Sequence, residues 1–86
     1  MSNETWLELS DPQRFERTWS FKNFKTPWEF VNLVADHAEK VNHHPEVSFG
    51  WGYLKLAIFS HDKKSLTQRD RDFVIAVDKL WEQFNV

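Results

Sequence analysis

Cysteine is absent from the 86-residue sequence. Disulfides, thiolate nucleophiles and Cys-based zinc or iron–sulfur sites are thereby excluded, and a reducing compartment suits the chain. An excess of positive charge is missing too: 11 Lys and Arg stand against 13 Asp and Glu, a formal net charge of −2. That balance lacks the electrostatic footprint of a dedicated nucleic-acid binder, and it leaves protein partners open. No apolar run approaches the roughly 20 residues of a membrane span. The opening Met1-Ser2-Asn3-Glu4-Thr5 is polar and acidic, unlike a signal or transit peptide. The expectation is one cytoplasmic domain over residues 1–86, with neither a membrane nor a nucleic acid as partner.

Aromatic side chains, by contrast, are abundant. Five Trp, eight Phe and one Tyr make up 16% of the chain. A domain of about sixty residues buries only about 60% of its unfolded surface. So many rings exceed what one such core hides, and interfaces are enriched in them, so the composition points to a homo-oligomer.

The hydrophobic period organises the chain. Trp6-Leu7-Glu8-Leu9 reads as a short strand ended by the turn Ser10-Asp11-Pro12. From Phe15 to Phe21 the period is two, with Phe15, Arg17, Trp19 and Phe21 on one face. Arg17 on that apolar face pairs with a carboxylate across an interface or snorkels. Thr26-Pro27-Trp28-Glu29 then has the form of a capping box, with Thr26 as N-cap. Phe30, Val34, His37 and Val41 follow at helical spacing, Asn42 suits a C-cap, and Pro45 forbids continuation. Two alternating segments come next, Val47-Phe49-Trp51 and Leu54-Leu56-Ile58, joined at Trp51-Gly52. The second carries apolar groups on both faces, as a central strand does. A last helix opens at Thr67-Gln68-Arg69-Asp70 and runs through Phe73, Val77, Leu80 and Phe84. The order is β-β-α-β-β-α, and the natural α+β solution is a four-stranded antiparallel sheet with two helices packed on one face.

Three of the four histidines fall at breaks in this pattern. His43 and His44 follow the first helix, and Pro45 holds His44 extended, so the two imidazoles point in different directions. His61 ends the fourth strand within Ser60-His61-Asp62. A hairpin of strands three and four returns that end to where strand three began, so three imidazoles gather at one edge of the sheet. Imidazole accepts and donates protons near neutral pH, which suits a reaction that moves two protons without a nucleophile. Zinc ligation is the rival, although adjacent His-His lacks the i, i+4 spacing that aims two rings at one ion. A purely structural role is a third reading. His37, on the apolar stripe, reads as a core or boundary histidine, and Arg69 and Arg71 as an exposed helix start.

Glu39-Lys40-Val41-Asn42-His43-His44-Pro45, with Ser60-His61-Asp62 and Leu66-Thr67-Gln68-Arg69-Asp70, resembles the signature of the pterin-4a-carbinolamine dehydratases. The resemblance runs from about Trp6 to the C-terminus. It implies the β-β-α-β-β-α fold, homodimers or homotetramers, and dehydration of 4a-hydroxytetrahydropterin to quinonoid dihydropterin. It implies no metal and no organic cofactor. Carried over by position, His43, His44 and His61 are the catalytic imidazoles. Of these, His43 and His61 form the principal acid–base pair. Glu39, Ser60, Asp62 and Asp70 line or support the substrate site, Asp70 doubling as a capping carboxylate. The chain departs from the family at Lys63-Lys64-Ser65, which has no glycine, at Trp51 in place of Tyr, and at Ser60 in place of Thr. Many members also carry a helix before the first strand, where this sequence has Met1 to Thr5. The alternative from another class is a non-catalytic dimerisation, assembly or coactivator module on the same fold, with a protein as its partner.

Overall fold

The computed structural model describes residues 6–60 and 65–84. The elements are β1 (Leu7–Leu9), β2 (Arg14–Ser20), α1 (Lys25–Val41), β3 (Glu46–Gly50), β4 (Tyr53–Ile58) and α2 (Gln68–Phe84). The strands form one antiparallel sheet in the order β1-β2-β4-β3, the α+β arrangement anticipated from the sequence. Strand β4 is interior, which explains its two apolar faces: Leu54, Leu56 and Ile58 are buried under the helices, and Ala57 is buried on the opposite face.

The core lies between the sheet and both helices. Trp19, Leu54, Leu56 and Ile58 rise from the sheet to meet Phe30, Val34 and Ala38 of α1 and Phe73 and Val77 of α2. Burying each of the larger side chains contributes about 1.5–3 kcal/mol. Trp19 sits at the centre, in contact with the rings of Trp6, Phe30 and Trp81. Other rings are left outside: Phe24, Trp28, Trp51 and Tyr53 are all exposed.

Two local expectations are corrected. Helix α1 starts one residue before Thr26, and its N-cap Phe24 makes no side-chain capping bond. Asn23 supplies the cap instead, its Oδ1 accepting the Thr26 N–H at 2.8 Å, a local bond that Asn side chains make readily. The buried stripe of α1 runs Pro27, Phe30, Val34 and Ala38, so His37 and Val41 lie on its flank. A straight 3.6-residue helix keeps i, i+4 positions over the core, and Ala38 rather than His37 follows Val34 there.

Arg17 finds its carboxylate within the chain. Its Nη1 donates to Asp78 Oδ1 at 2.9 Å, and its Cζ lies 4.5 Å from the centroid of the Trp19 ring. Trp6 Nε1 donates to the same Asp78 oxygen at 2.8 Å, tying the start of β1 to α2.

Candidate active site

The register places the site. Glu46 pairs with Ala57, so the end of β4 returns beside the start of β3, where His43 and His44 precede the strand. Asn42 closes α1 in the left-handed region, with φ 55° and ψ 44°. Asn tolerates that conformation better than most residues. The reversal turns the His43 backbone N–H onto the Ala38 carbonyl at 3.2 Å and directs its side chain inward.

His43 is buried against Asp70, with Nε2 2.8 Å from Oδ1. Asp70 is completely buried and collects three further donors on Oδ2: the Thr67 N–H at 2.8 Å, Ser60 Oγ at 2.9 Å and Thr67 Oγ1 at 3.1 Å. Burial pushes the Asp70 carboxyl up. The Thr67 N–H, His43 and the hydroxyls of Ser60 and Thr67 outweigh that penalty and hold it below the usual aspartate value. An ionised carboxylate only accepts, so His43 Nε2 is the donor of this bond, and in the neutral imidazole the lone pair then falls on Nδ1. Asp70 thus serves two structures at once. It forms the acceptor half of a capping box at the start of α2, and it fixes the tautomer of an imidazole 27 residues away.

His44 lies outside this buried pair. It is half exposed, and its Nε2 donates to Glu39 Oε2 at 2.6 Å. His61 and Asp62 lie outside the described residues. Of the expected site residues, then, the geometry joins His43, Asp70 and Ser60 in one network and His44 and Glu39 in another.

A pocket of about 210 Å³ opens between the C-terminal half of α1 and the N-terminal half of α2. His37 and Val41 line it from α1, and Arg69, Asp72, Phe73 and Ala76 from α2. The buried residues His43 and Phe73 form its base, and the exposed Arg69 and Asp72 its rim. The Phe73 ring meets both imidazoles nearly edge to face, at 5.2 Å for His37 and 5.8 Å for His43. Arg69 Nη2 donates to the Asn42 carbonyl at 3.0 Å, locking the start of α2 to the His43 loop. His37, Arg69 and Asp72 were not expected in a site. The signal for them lay in the helical spacing 69, 72, 73, 76, which becomes legible once α2 is known to face the end of α1. Among the described residues, no three His, Asp or Glu side chains converge as metal ligands do.

This arrangement defines an α+β protein with a carboxylate-held imidazole at the base of a small pocket. The profile described as Pterin 4 alpha carbinolamine dehydratase matches residues 1–80, and the chain belongs to that family. A relative from Rubrobacter xylanophilus, named provisionally as a pterin-4-alpha-carbinolamine dehydratase, is 40% identical over 85% of this chain and 68% of its own length. One from Thermosynechococcus vestitus, named in the same way, is 35% identical over 87% of this chain and 77% of its own. Among solved structures, a transcriptional coactivator/pterin dehydratase from Brucella melitensis superposes with a TM-score of 0.80. It is 23% identical, and the match covers 90% of this chain and 82% of that one. A pterin dehydratase-like protein identified as a RuBisCO assembly factor in the alpha-carboxysome gives a TM-score of 0.76 at 23% identity, covering 90% and 89%. At that identity the two structures establish the shared fold.

Proposed function

We propose that the protein dehydrates 4a-hydroxytetrahydropterin to quinonoid dihydropterin by histidine acid–base catalysis. In this reaction the C4a–O bond breaks and the hydroxyl leaves as water with a proton from an acid. A base removes the N5 proton, and the freed electron pair forms the C4a=N5 bond. The observation that carries the reading is the buried Asp70–His43 pair: with Nε2 bonded to Asp70, the neutral imidazole has its lone pair on Nδ1, in a residue that lines the pocket. His43 acts as the base and His61 as the acid, while His44, held by Glu39, orients the substrate or supplies a second acid. Ser60 and Asp70 are positioning residues that act through His43, and Asp62 is assigned to substrate binding. Each positioned acid or base contributes about 10²- to 10⁴-fold, enough for a reaction that also proceeds unaided in water. The product returns to the reduced pterin pool in the cytoplasm, the recycling step for tetrahydrobiopterin.

The test is the decay of 4a-hydroxytetrahydropterin with wild type, His43→Ala and His61→Ala. Acceleration that collapses in both variants supports the reading. A folded wild type that accelerates nothing refutes it.

The exposed rings of Phe24, Trp28 and Trp51 favour a second activity on the same fold, assembly with copies of itself or with a partner protein. A homodimer or homotetramer covers them, and sedimentation equilibrium of wild type against Trp28→Ala and Trp51→Ala reads this directly. A strictly monomeric wild type refutes it.

A further inference from the structure

The pocket rim contains a guanidinium and a carboxylate that the acid–base chemistry does not use. Arg69 and Asp72 stand three residues apart on α2, a spacing that makes side chains neighbours, with Cβ atoms roughly 5–6 Å apart. Each is held by a bond outside the pocket. Arg69 is tied to the Asn42 carbonyl, beside His43, and Asp72 Oδ1 accepts from Gln68 Nε2 at 2.9 Å, which leaves Oδ2 for a ligand. The polar groups of the lining thus run from Asp72 to Arg69, which is tied to the His43 loop, and on to His43.

A pterin presents its own groups in a matching order. The 2-amino group and N3–H are adjacent donors, C4=O is an acceptor, and C4a and N5, where bonds change, come next. A carboxylate accepts from two neighbouring donors, and a guanidinium donates to a carbonyl. We propose that Asp72 and Arg69 are the specificity-determining pair of this pocket, Asp72 reading the 2-amino and N3–H edge and Arg69 the C4 carbonyl. The proposal rests on the dehydratase reading above and adds the ring chemistry the site selects. With the amide edge so engaged, C4a and N5 lie toward His43, and Phe73 offers an apolar ring to the pteridine. Glu39 bonds to His44 and is not among the residues lining the pocket. At about 210 Å³ the pocket is smaller than the about 300–1,000 Å³ of drug-sized sites, so it takes a bicyclic ring and leaves long substituents outside.

Lumazine provides the test, because it is pterin with the 2-amino donor replaced by a carbonyl acceptor. Dissociation constants for pterin and lumazine are measured by ligand fluorescence titration on wild type, Asp72→Asn and Arg69→Gln. Wild type is expected to prefer pterin by roughly tenfold or more, the worth of a charge-assisted hydrogen bond. In Asp72→Asn that preference disappears or reverses, because the carboxamide N–H donates to the C2 carbonyl. Arg69→Gln weakens both ligands alike, since both keep C4=O. A general structural defect cannot produce this split, and Asp72 is exposed on the helix surface, so its variant folds. If wild type binds pterin and Asp72→Asn keeps the wild-type ratio, the pair is overturned and the dehydratase reading stands. If wild type binds neither ring and leaves 4a-hydroxytetrahydropterin decay unchanged, the dehydratase reading itself is overturned, and this proposal with it.

Discussion

Substituting Asn for Asp70 changes the site by a proton rather than by a shape. Four donors converge on the native carboxylate: the N–H groups of His43 and Thr67 and the hydroxyls of Ser60 and Thr67. A carboxamide keeps one acceptor oxygen. The hydroxyls can rotate and accept from the new NH₂, but the Thr67 backbone N–H cannot change its role. The Asn oxygen therefore stays on Thr67, and its Nδ2 faces His43 Nε2. Two N–H groups cannot bond to each other, so the imidazole hydrogen moves to Nδ1 and the lone pair is lost from the pocket. The expected fall in kcat is about 10²- to 10⁴-fold, the contribution of one positioned base. Losing a charge-assisted bond costs about 2 kcal/mol of stability. That corresponds to a drop of roughly 8–16 °C in Tm for a domain of this size. The assay combines the rate of 4a-hydroxytetrahydropterin decay at 25 °C with the ring ¹⁵N shifts of His43. Wild-type kcat in Asp70→Asn, or a lost rate with the Nε2–H tautomer intact, would refute the reasoning.

Stability should fall on acidification. The folded-state values of Asp70 and Glu16 both lie below those of the unfolded chain, Asp70 for the reasons above and Glu16 chiefly through its bond to Arg14. Their contributions are complete above the ordinary carboxylate range near pH 4 and are lost as pH falls through the folded values. Urea midpoints measured from pH 7 to pH 2 should decline, and Asp70→Asn should flatten that decline; equal slopes would contradict the assignment. Phe30→Ala removes a fully buried ring in contact with Trp19, Trp81 and Phe84, so a loss of about 3–5 kcal/mol is expected in chemical denaturation. Asn42→Ala forces a Cβ-bearing residue without a local polar partner into the left-handed region and should cost about 1 kcal/mol. Asn42→Gly should be tolerated, and thermal melts of the two variants separate this backbone effect from a side-chain one.

The sequence displayed the order of the elements because each announces its own period. The alternation at Arg17 and Trp19, the capping box at Thr67 and Asp70, and the left-handed stop at Asn42 are all local signals. The start of α1 misled because Thr26-Pro27 looks like a cap, while Asn23 lies close enough to compete for the same N–H. His43 and Asp70 were legible as candidate site residues through the family signature. Their direct bond was not, since it joins two helix ends that no local pattern relates. His37, Arg69 and Asp72 stayed hidden for the same reason: a pocket between helices depends on how α1 crosses α2, and charged residues in the first turn of a helix look like solvated surface until something faces them.

The short first strand has a consequence beyond its three residues. Strand β1 covers one flank of β2, pairing Leu7 with Glu16 and Leu9 with Arg14. So few ladder bonds hold weakly, and a segment of this kind opens locally well before the whole fold does. The Trp6 indole, bonded to Asp78 and packed edge to face against Trp19, helps keep it down. Where β1 lifts away, the backbone groups of β2 that face it become an unpaired strand edge, the kind of template on which chains join in register. Asp78, by holding Trp6, thereby helps guard that strand edge. Hydrogen exchange at the β2 amides facing β1 would report how often that guard lapses.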